Sequence, residues 1–294
     1  MPNMINSINQ SIVNHSIVTQ SDSPYQTSVG YQALFSNTTG QNNTAVGISA
    51  LSSNTTGEQN TAVGADALHA NTTGRANTAV GYNALFGNVD GHYNTAMGYQ
   101  ALYSNTTGDY NTAVGPFALN ANTGGDFNLA VGYTALDANT LGNSNSAVGY
   151  VALALNTTGT DNTAVGARTL YSNIVGSYNT AVGSGALFAC TTVYNTAVGY
   201  NSLNLATSGG KNTAVGYIAL ATNTTGTDNT AVGYRALQLN ETSYNTAVGS
   251  GALQFCTTVY NTAVGYNALN ANTTGYFNTA VGALTLDHNT TGSL

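Results

Sequence analysis

Apolar and polar positions recur along almost the whole chain with one fixed period. The unit reads Asn-Thr-Ala-Val-Gly, then Tyr-x-Ala-Leu, then Asn-Thr-Thr-Gly, and it is clearest at Asn94 to Gly108, with Met97 in the valine position. The glycine that closes Ala-Val-Gly stands at 30, 47, 64, 81, 98, 115, 132, 149, 166, 183, 199, 216, 233, 249, 265 and 282. The step is seventeen residues, shortened to sixteen after Gly183, Gly233 and Gly249. Periodicity this strict marks a stacked repeat array, in which each unit buries its apolar face against its neighbours. A leucine follows four residues after the glycine in all sixteen copies, from Leu34 to Leu286, and is read as core. Valine precedes the glycine in every copy but one, alanine precedes the valine except at Ser28, and asparagine opens the unit except at Gln26. A polar position that constant implies a specific bond.

Each repeat therefore predicts one short strand, Asn-Thr-Ala-Val, ended by glycine. In a strand, Thr and Val share one face and Ala takes the other. A near-constant alanine predicts close approach on its side, most simply by another chain or sheet. Tyr-x-Ala-Leu is compatible with a second short strand, an irregular segment or one helical turn, the first two being preferred. Asn-Thr-Thr-Gly predicts a turn whose glycine takes positive φ. Stacking at roughly 4.8 Å per rung places each position over itself, turns the asparagines into a ladder and gives an array roughly 70 Å long. The fold class that follows is all-β, a repetitive parallel β-roll or β-solenoid rod over residues 26–294. Residues 1–25 lie outside the repeat; their two Ser-Ile-Val runs favour a strand, while Ile5, Ile8 and Ile12 also have coiled-coil spacing. They are read as an attachment or assembly segment.

Charge is scarce: four basic and eleven acidic residues among 294, for a net of −7. Without a Lys/Arg stripe there is nothing to neutralise phosphates, which argues against nucleic acid and acidic lipid surfaces. The repeated Val and Leu argue against disorder. No apolar run reaches membrane-spanning length, and no basic-then-apolar N-terminal leader is visible, so membrane insertion and Sec-type export are not expected.

No catalytic, cofactor or metal constellation stands out, and an enzyme is not expected. His15, His69, His92 and His288 are too scattered for metal-ligand spacing. Asp90, Asp109 and Asp126 follow near the repeat period and are read as solvated turn residues. Cys190 and Cys256 lie sixty-six residues, four rungs, apart. That is roughly 19 Å, too far for a disulfide, and predicts free, buried residues in a shortened turn. The sixteen-residue rungs suggest a bend or narrower waist. Tyrosine recurs after the glycine, as at Tyr82, Tyr99 and Tyr217, and an aromatic recurs before the asparagine, as at Tyr93, Tyr110 and Phe127. These stripes read first as packing between rungs or chains, second as a sugar-stacking surface. Eight Asn-Thr-Thr triplets, at Asn37, Asn54, Asn71, Asn105, Asn156, Asn223, Asn272 and Asn289, are glycosylation sequons as well as turn formers.

Over residues 26–294 the motif Asn-Thr-Ala-Val-Gly-Tyr-x-Ala-Leu-x-x-Asn-Thr-Thr-Gly resembles the repeats of phage-type tail-fibre proteins and, more distantly, the head repeats of trimeric autotransporter adhesins. The resemblance implies parallel β-rolls or β-helices wound as homotrimers and used as extracellular or virion-borne rods that space or bind a host surface, through a glycan or receptor. The adhesin heads have shorter repeats, and neither a membrane anchor nor a self-cleaving C-terminal chaperone domain is recognisable here. A bacterial surface adhesin or self-assembling extracellular filament fits the repeats as well, with end-to-end association through residues 1–25. Stacked Thr-Thr pairs raise an ice-binding solenoid, a reading weakened where Ile174 and Gly209 break the ladder. A homotrimer with parallel chains is expected on the ground that the alanine face of a lone coil would stay open to water.

Overall fold

The computed structural model describes residues 25–293, so the reading of residues 1–25 as an assembly segment lies, but for Tyr25, outside the described residues. The chain is an all-β parallel solenoid without helices among the described residues. It groups into two compact units built alike, one ending at Leu141 and the other beginning at Gly142. The first carries β1 (Thr27–Val29) to β7 (Leu129–Val131) and the second β8 (Ser146–Val148) to β16 (Thr279–Val281). Each strand is three residues long and pairs in parallel with the same position one repeat on, as in Thr78↔Thr95, Ala79↔Ala96 and Val80↔Met97.

Backbone bonds run along the axis in both directions. The Thr78 N–H donates forward to Asn94 O at 2.8 Å, and the Gly98 N–H donates back to Val80 O at 2.8 Å. Tyr-x-Ala-Leu is neither strand nor helix but a tight turn containing two left-handed residues, such as Gln100 (φ 51) and Leu102 (φ 53). Its N–H groups also point along the axis, Gln100 back to Tyr82 O at 3.0 Å and Leu102 forward to Ala118 O at 2.9 Å. Side chains at such φ are strained by roughly 1–2 kcal/mol per residue. Inter-rung bonding and burial of the leucine outweigh that cost.

The alanine face is not open. Ala96, Ala101 and Leu102 have no exposed area in the single chain, and the same holds rung after rung. The coil's own leucine, swung inward by its left-handed backbone, covers the alanines, and two asparagine side chains fill the rest of the cross-section. No second chain or sheet is needed on that face. Valine, by contrast, faces outward with threonine, at 38% exposure for Val63 and Val165. Its constancy reflects strand propensity and contact with the valines above and below rather than a place in the core.

The glycines divide into two kinds. Those that close the strand have positive φ, +135° at Gly81, where an added Cβ would stand 2.5 Å from Gly98 O. Those of Asn-Thr-Thr-Gly do not take positive φ, contrary to the turn expected. Gly108 is required because a Cβ would stand 2.6 Å from Gly125 O and 2.8 Å from the Asn122 amide nitrogen. Close approach of the next rung, not turn conformation, selects glycine there.

The shortened rungs leave strand register intact: Thr180↔Thr196, Ala181↔Ala197 and Val182↔Val198 pair as elsewhere. The missing residue is taken out of the turn. In a seventeen-residue rung Asn94 Nδ2 donates to Gly108 O at 2.8 Å; in the short one Asn179 Nδ2 donates to Thr192 O at 2.7 Å. Thr242 and Thr258 carbonyls serve Asn229 and Asn245 in the same way, both at 2.7 Å.

Candidate functional site

Most polar side chains that the repeat holds constant are buried and bonded. The asparagine that opens each repeat forms a ladder within each unit: Asn94 Oδ1 accepts the Asn111 N–H at 2.9 Å in the first, and Asn261 Oδ1 accepts the Asn278 N–H at 3.1 Å in the second. The asparagine of Asn-Thr-Thr-Gly forms a second, in which Nδ2 of Asn71, Asn88 and Asn105 donates to Oδ1 of the preceding rung at 2.7–2.8 Å. Seven of the eight sequon asparagines, all but Asn289, are buried in this ladder, so the nitrogen a glycan would need is enclosed in the folded chain. Cys190 and Cys256 replace asparagine in it, free and buried as expected. Burial pushes both thiols up, with hydrogen bonds to Thr192 and Asn195, or Thr258 and Asn261, acting the other way. Asn173 Oδ1, whose ladder partner one rung on is replaced by Cys190, is left without a partner.

The histidines and aspartates do not converge. Among the described residues no group of three or more His, Cys, Asp or Glu is placed to hold a metal ion, and His15 lies outside the described residues. Asp109 and Asp126 accept backbone N–H groups of the preceding rung, from His92 at 2.6 Å and from Asp109 at 2.8 Å. Asp90 accepts from the Thr73 hydroxyl. His92 Nδ1 likewise accepts the Arg75 N–H at 3.0 Å, so this turn position caps the rung before it. His69 stacks on Phe86, and His288 is exposed beside Asp287. A shallow polar recess of about 410 Å³ lies among Thr56, Glu58, Thr73, Arg75, Asp90 and His92.

What remains free lies on the outward strand face. In no rung is the Thr or Val position charged. Among the described residues the hydroxyls of strand threonines such as Thr61, Thr95 and Thr213 make no hydrogen bond within the chain. The turn threonines differ: Thr55, Thr72, Thr106 and Thr157 hydroxyls donate to the next rung's carbonyl at 2.8–3.0 Å. The Thr-Thr pairs thus have their first hydroxyl engaged internally.

Aromatic stacks border the strand in sequence on both sides. After the glycine, Tyr82 stacks on Tyr99 with ring centroids 5.6 Å apart, and Tyr200, Tyr217 and Tyr234 stack at 5.4 and 5.5 Å. Before the asparagine, Tyr93, Tyr110 and Phe127 stack at 4.9 and 5.0 Å, Tyr178 and Tyr194 at 5.1 Å, and Tyr244, Tyr260 and Phe277 at 4.9 Å. A third stack, one residue after the core leucine, joins His69, Phe86 and Tyr103, and again Tyr171 and Phe188. Sequence reading missed it because the position also holds Ser, Asn, Asp and Gln. Near-parallel stacking covers the faces of inner rings and leaves edges and hydroxyls in water. A sugar docks on a ring face, so the stacks serve packing between rungs, each pair contributing about 0.5–1.5 kcal/mol beyond burial.

No known protein family, characterised protein or solved structure matches the chain.

Proposed function

We propose that the chain is a structural fibre or adhesion protein, an extracellular or virion-borne array that spaces or binds a host cell surface and works as a parallel homotrimer. One observation carries this reading. The asparagines that the repeat holds constant bond rung to rung, and what each unit offers outward is an uncharged Thr/Val face edged by tyrosines and repeated along the array. A small ligand needs a concave, convergent site; a long uniform face suits lateral packing against an equally regular surface. The alanine face being filled, three-fold closure runs through Thr and Val. A bacterial adhesin or extracellular filament would use the same face.

The test separates folding from association. Val165→Lys with Val215→Lys places charges on outward positions, so circular dichroism and thermal melting should stay close to those of the parent. Native mass spectrometry should report three chains for the parent and one for the variant. A monomeric parent, or a variant that remains trimeric, overturns the proposal. The unbonded strand hydroxyls in strict register favour a second reading, binding of an ordered lattice such as ice. Absence of thermal hysteresis in the monomeric variant and the parent alike removes it.

A further inference from the structure

The tyrosine stacks place phenol against phenol in a way that packing alone does not require. Neighbouring pairs that join tyrosine to tyrosine include Tyr82–Tyr99, Tyr93–Tyr110, Tyr178–Tyr194, Tyr200–Tyr217, Tyr217–Tyr234 and Tyr244–Tyr260. The best aligned are Tyr244–Tyr260, at 4.9 Å and 3° between planes, and Tyr93–Tyr110, at 4.9 Å and 6°. All four of these rings are about half exposed, between 47% and 49%. Carried on the same backbone position of adjacent rungs, the two rings present like atoms to one another, and the carbons ortho to the hydroxyls lie side by side. A diffusing oxidant has access to both. Half-exposed side chains also have room to turn from stacked to edge-joined.

We propose that these pairs are sites of oxidative coupling, in which a peroxide-driven one-electron oxidant, such as a haem peroxidase, joins stacked tyrosines into dityrosine staples between successive rungs. Each phenol gives up one electron and one proton to the oxidant, leaving a phenoxyl radical. The two radicals combine through their ortho carbons, forming one carbon–carbon bond. The hydrogen on each joined carbon then moves to its oxygen, which restores both aromatic rings. The pair loses two hydrogens in all, and one hydrogen peroxide takes up the two electrons and two protons as two waters.

Proximity decides the outcome. Phenoxyl radicals on dilute chains meet rarely, whereas two held in one stack couple within the molecule, because the array converts a bimolecular step into an intramolecular one. The bond closes a loop of sixteen or seventeen residues and ties two rungs covalently, a link that Cys190 and Cys256, buried and four rungs apart, do not supply.

The chain contains its own controls. Tyr103 stacks on Phe86 and Tyr171 on Phe188, at 5.2 and 5.3 Å, with geometry close to the productive pairs but only one hydroxyl. These should not couple. Full-length protein at submicromolar concentration is treated with a haem peroxidase and hydrogen peroxide, then followed by dityrosine fluorescence, denaturing electrophoresis and peptide mapping by mass spectrometry. The expected result is blue emission with the chain still at its monomer position. A cross-linked peptide should join Tyr244 to Tyr260, two hydrogens lighter than the sum, and its yield should not change on dilution. Tyr260→Phe, a replacement the repeat already makes at Phe127 and Phe277, should fold and lose that peptide, while Tyr103→Phe should lose nothing. Cross-links found only between chains, or equal coupling of the same pairs in urea-unfolded chain, overturn the proposal, as does absence of emission.

Discussion

Replacing Asn94 by alanine tests whether the asparagine ladder holds the rungs together. In the native chain Asn94 Oδ1 accepts the buried Asn111 N–H at 2.9 Å and Nδ2 donates to Gly108 O at 2.8 Å. Truncation orphans the Asn111 N–H. Gly108 O keeps its second donor, Asn105 Nδ2 at 2.9 Å, so that carbonyl is weakened rather than stranded. An unsatisfied buried donor costs about 1–3 kcal/mol and the lost second bond about 1 kcal/mol, for a total of about 2–4 kcal/mol. A stacked array can open locally, and a whole-chain melt would dilute the effect. Native-state hydrogen exchange reads it directly: amides of the Asn94 and Asn111 rungs should exchange about a hundredfold faster, the equivalent of about 3 kcal/mol. Rungs several repeats away should be unchanged. Asn42, exposed and at φ 57, is the control, since Asn42→Gly breaks no ladder bond. Unaltered exchange in Asn94→Ala, or equal acceleration in both variants, would refute the role assigned to the ladder.

Other perturbations follow from the same geometry. Leu136→Asp puts a charge where the side chain has no exposed area and no polar partner, and should abolish folding of its unit, seen as lost circular dichroism and rapid proteolysis. Asp137, next to it, is half-buried, and desolvation raises its carboxyl above the usual range. The folded chain therefore binds the proton more tightly than the unfolded chain, so this group lowers stability as pH rises from the unfolded value through the raised folded one. Asp137→Asn should flatten that part of the stability–pH curve in urea titrations and be more stable than the parent at neutral pH. Val151 is β-branched at φ 48, a position where Asn201 and Asn267 sit at φ 49 and 50. Val151→Asn should stabilise by about 1 kcal/mol in thermal unfolding; a loss of stability would show that packing of Val151 outweighs its strain.

The solenoid, the core leucine and the asparagine ladder were legible because each fills one position in nearly every repeat, so the chain supplies its own comparison. Direction was not. Valine is nearly as constant as leucine, yet strand alternation sets it opposite alanine, and only the folded chain says which of those faces is inside. The deciding fact is a leucine in left-handed backbone sixteen times over, from Leu34 to Leu286, a conformation that residue preference alone argues against. With it the coil covers its own alanines, and the reason first given for a trimer disappears. The sequons mislead for a related reason: Asn-Thr-Thr reads as an exposed turn, but the asparagine points inward while the threonines stay outside. Discontinuity hid the Phe86–Tyr103 stack, since a position shared with Ser52, Asn120 and Asp137 carries no constant signal.

The ladder of Asn-Thr-Thr-Gly asparagines also makes the first unit electrically directional. Backbone bonds between parallel strands alternate, Thr78 donating forward and Gly98 donating back, so their dipoles largely cancel. The side-chain amides do not alternate. In the first unit each link of this ladder has the oxygen facing the following rung and the N–H facing the one before, from Asn54 donating to Asn37 through Asn122 donating to Asn105. Summed over successive rungs, these dipoles give the stack a positive N-terminal pole and a negative C-terminal pole, in the sense of a helix macrodipole but carried by side chains. A rung inserted in reverse would meet oxygen with oxygen and nitrogen with nitrogen. A chain with few charges thereby has a built-in polarity, which any surface or partner lying along it meets head and tail as different things.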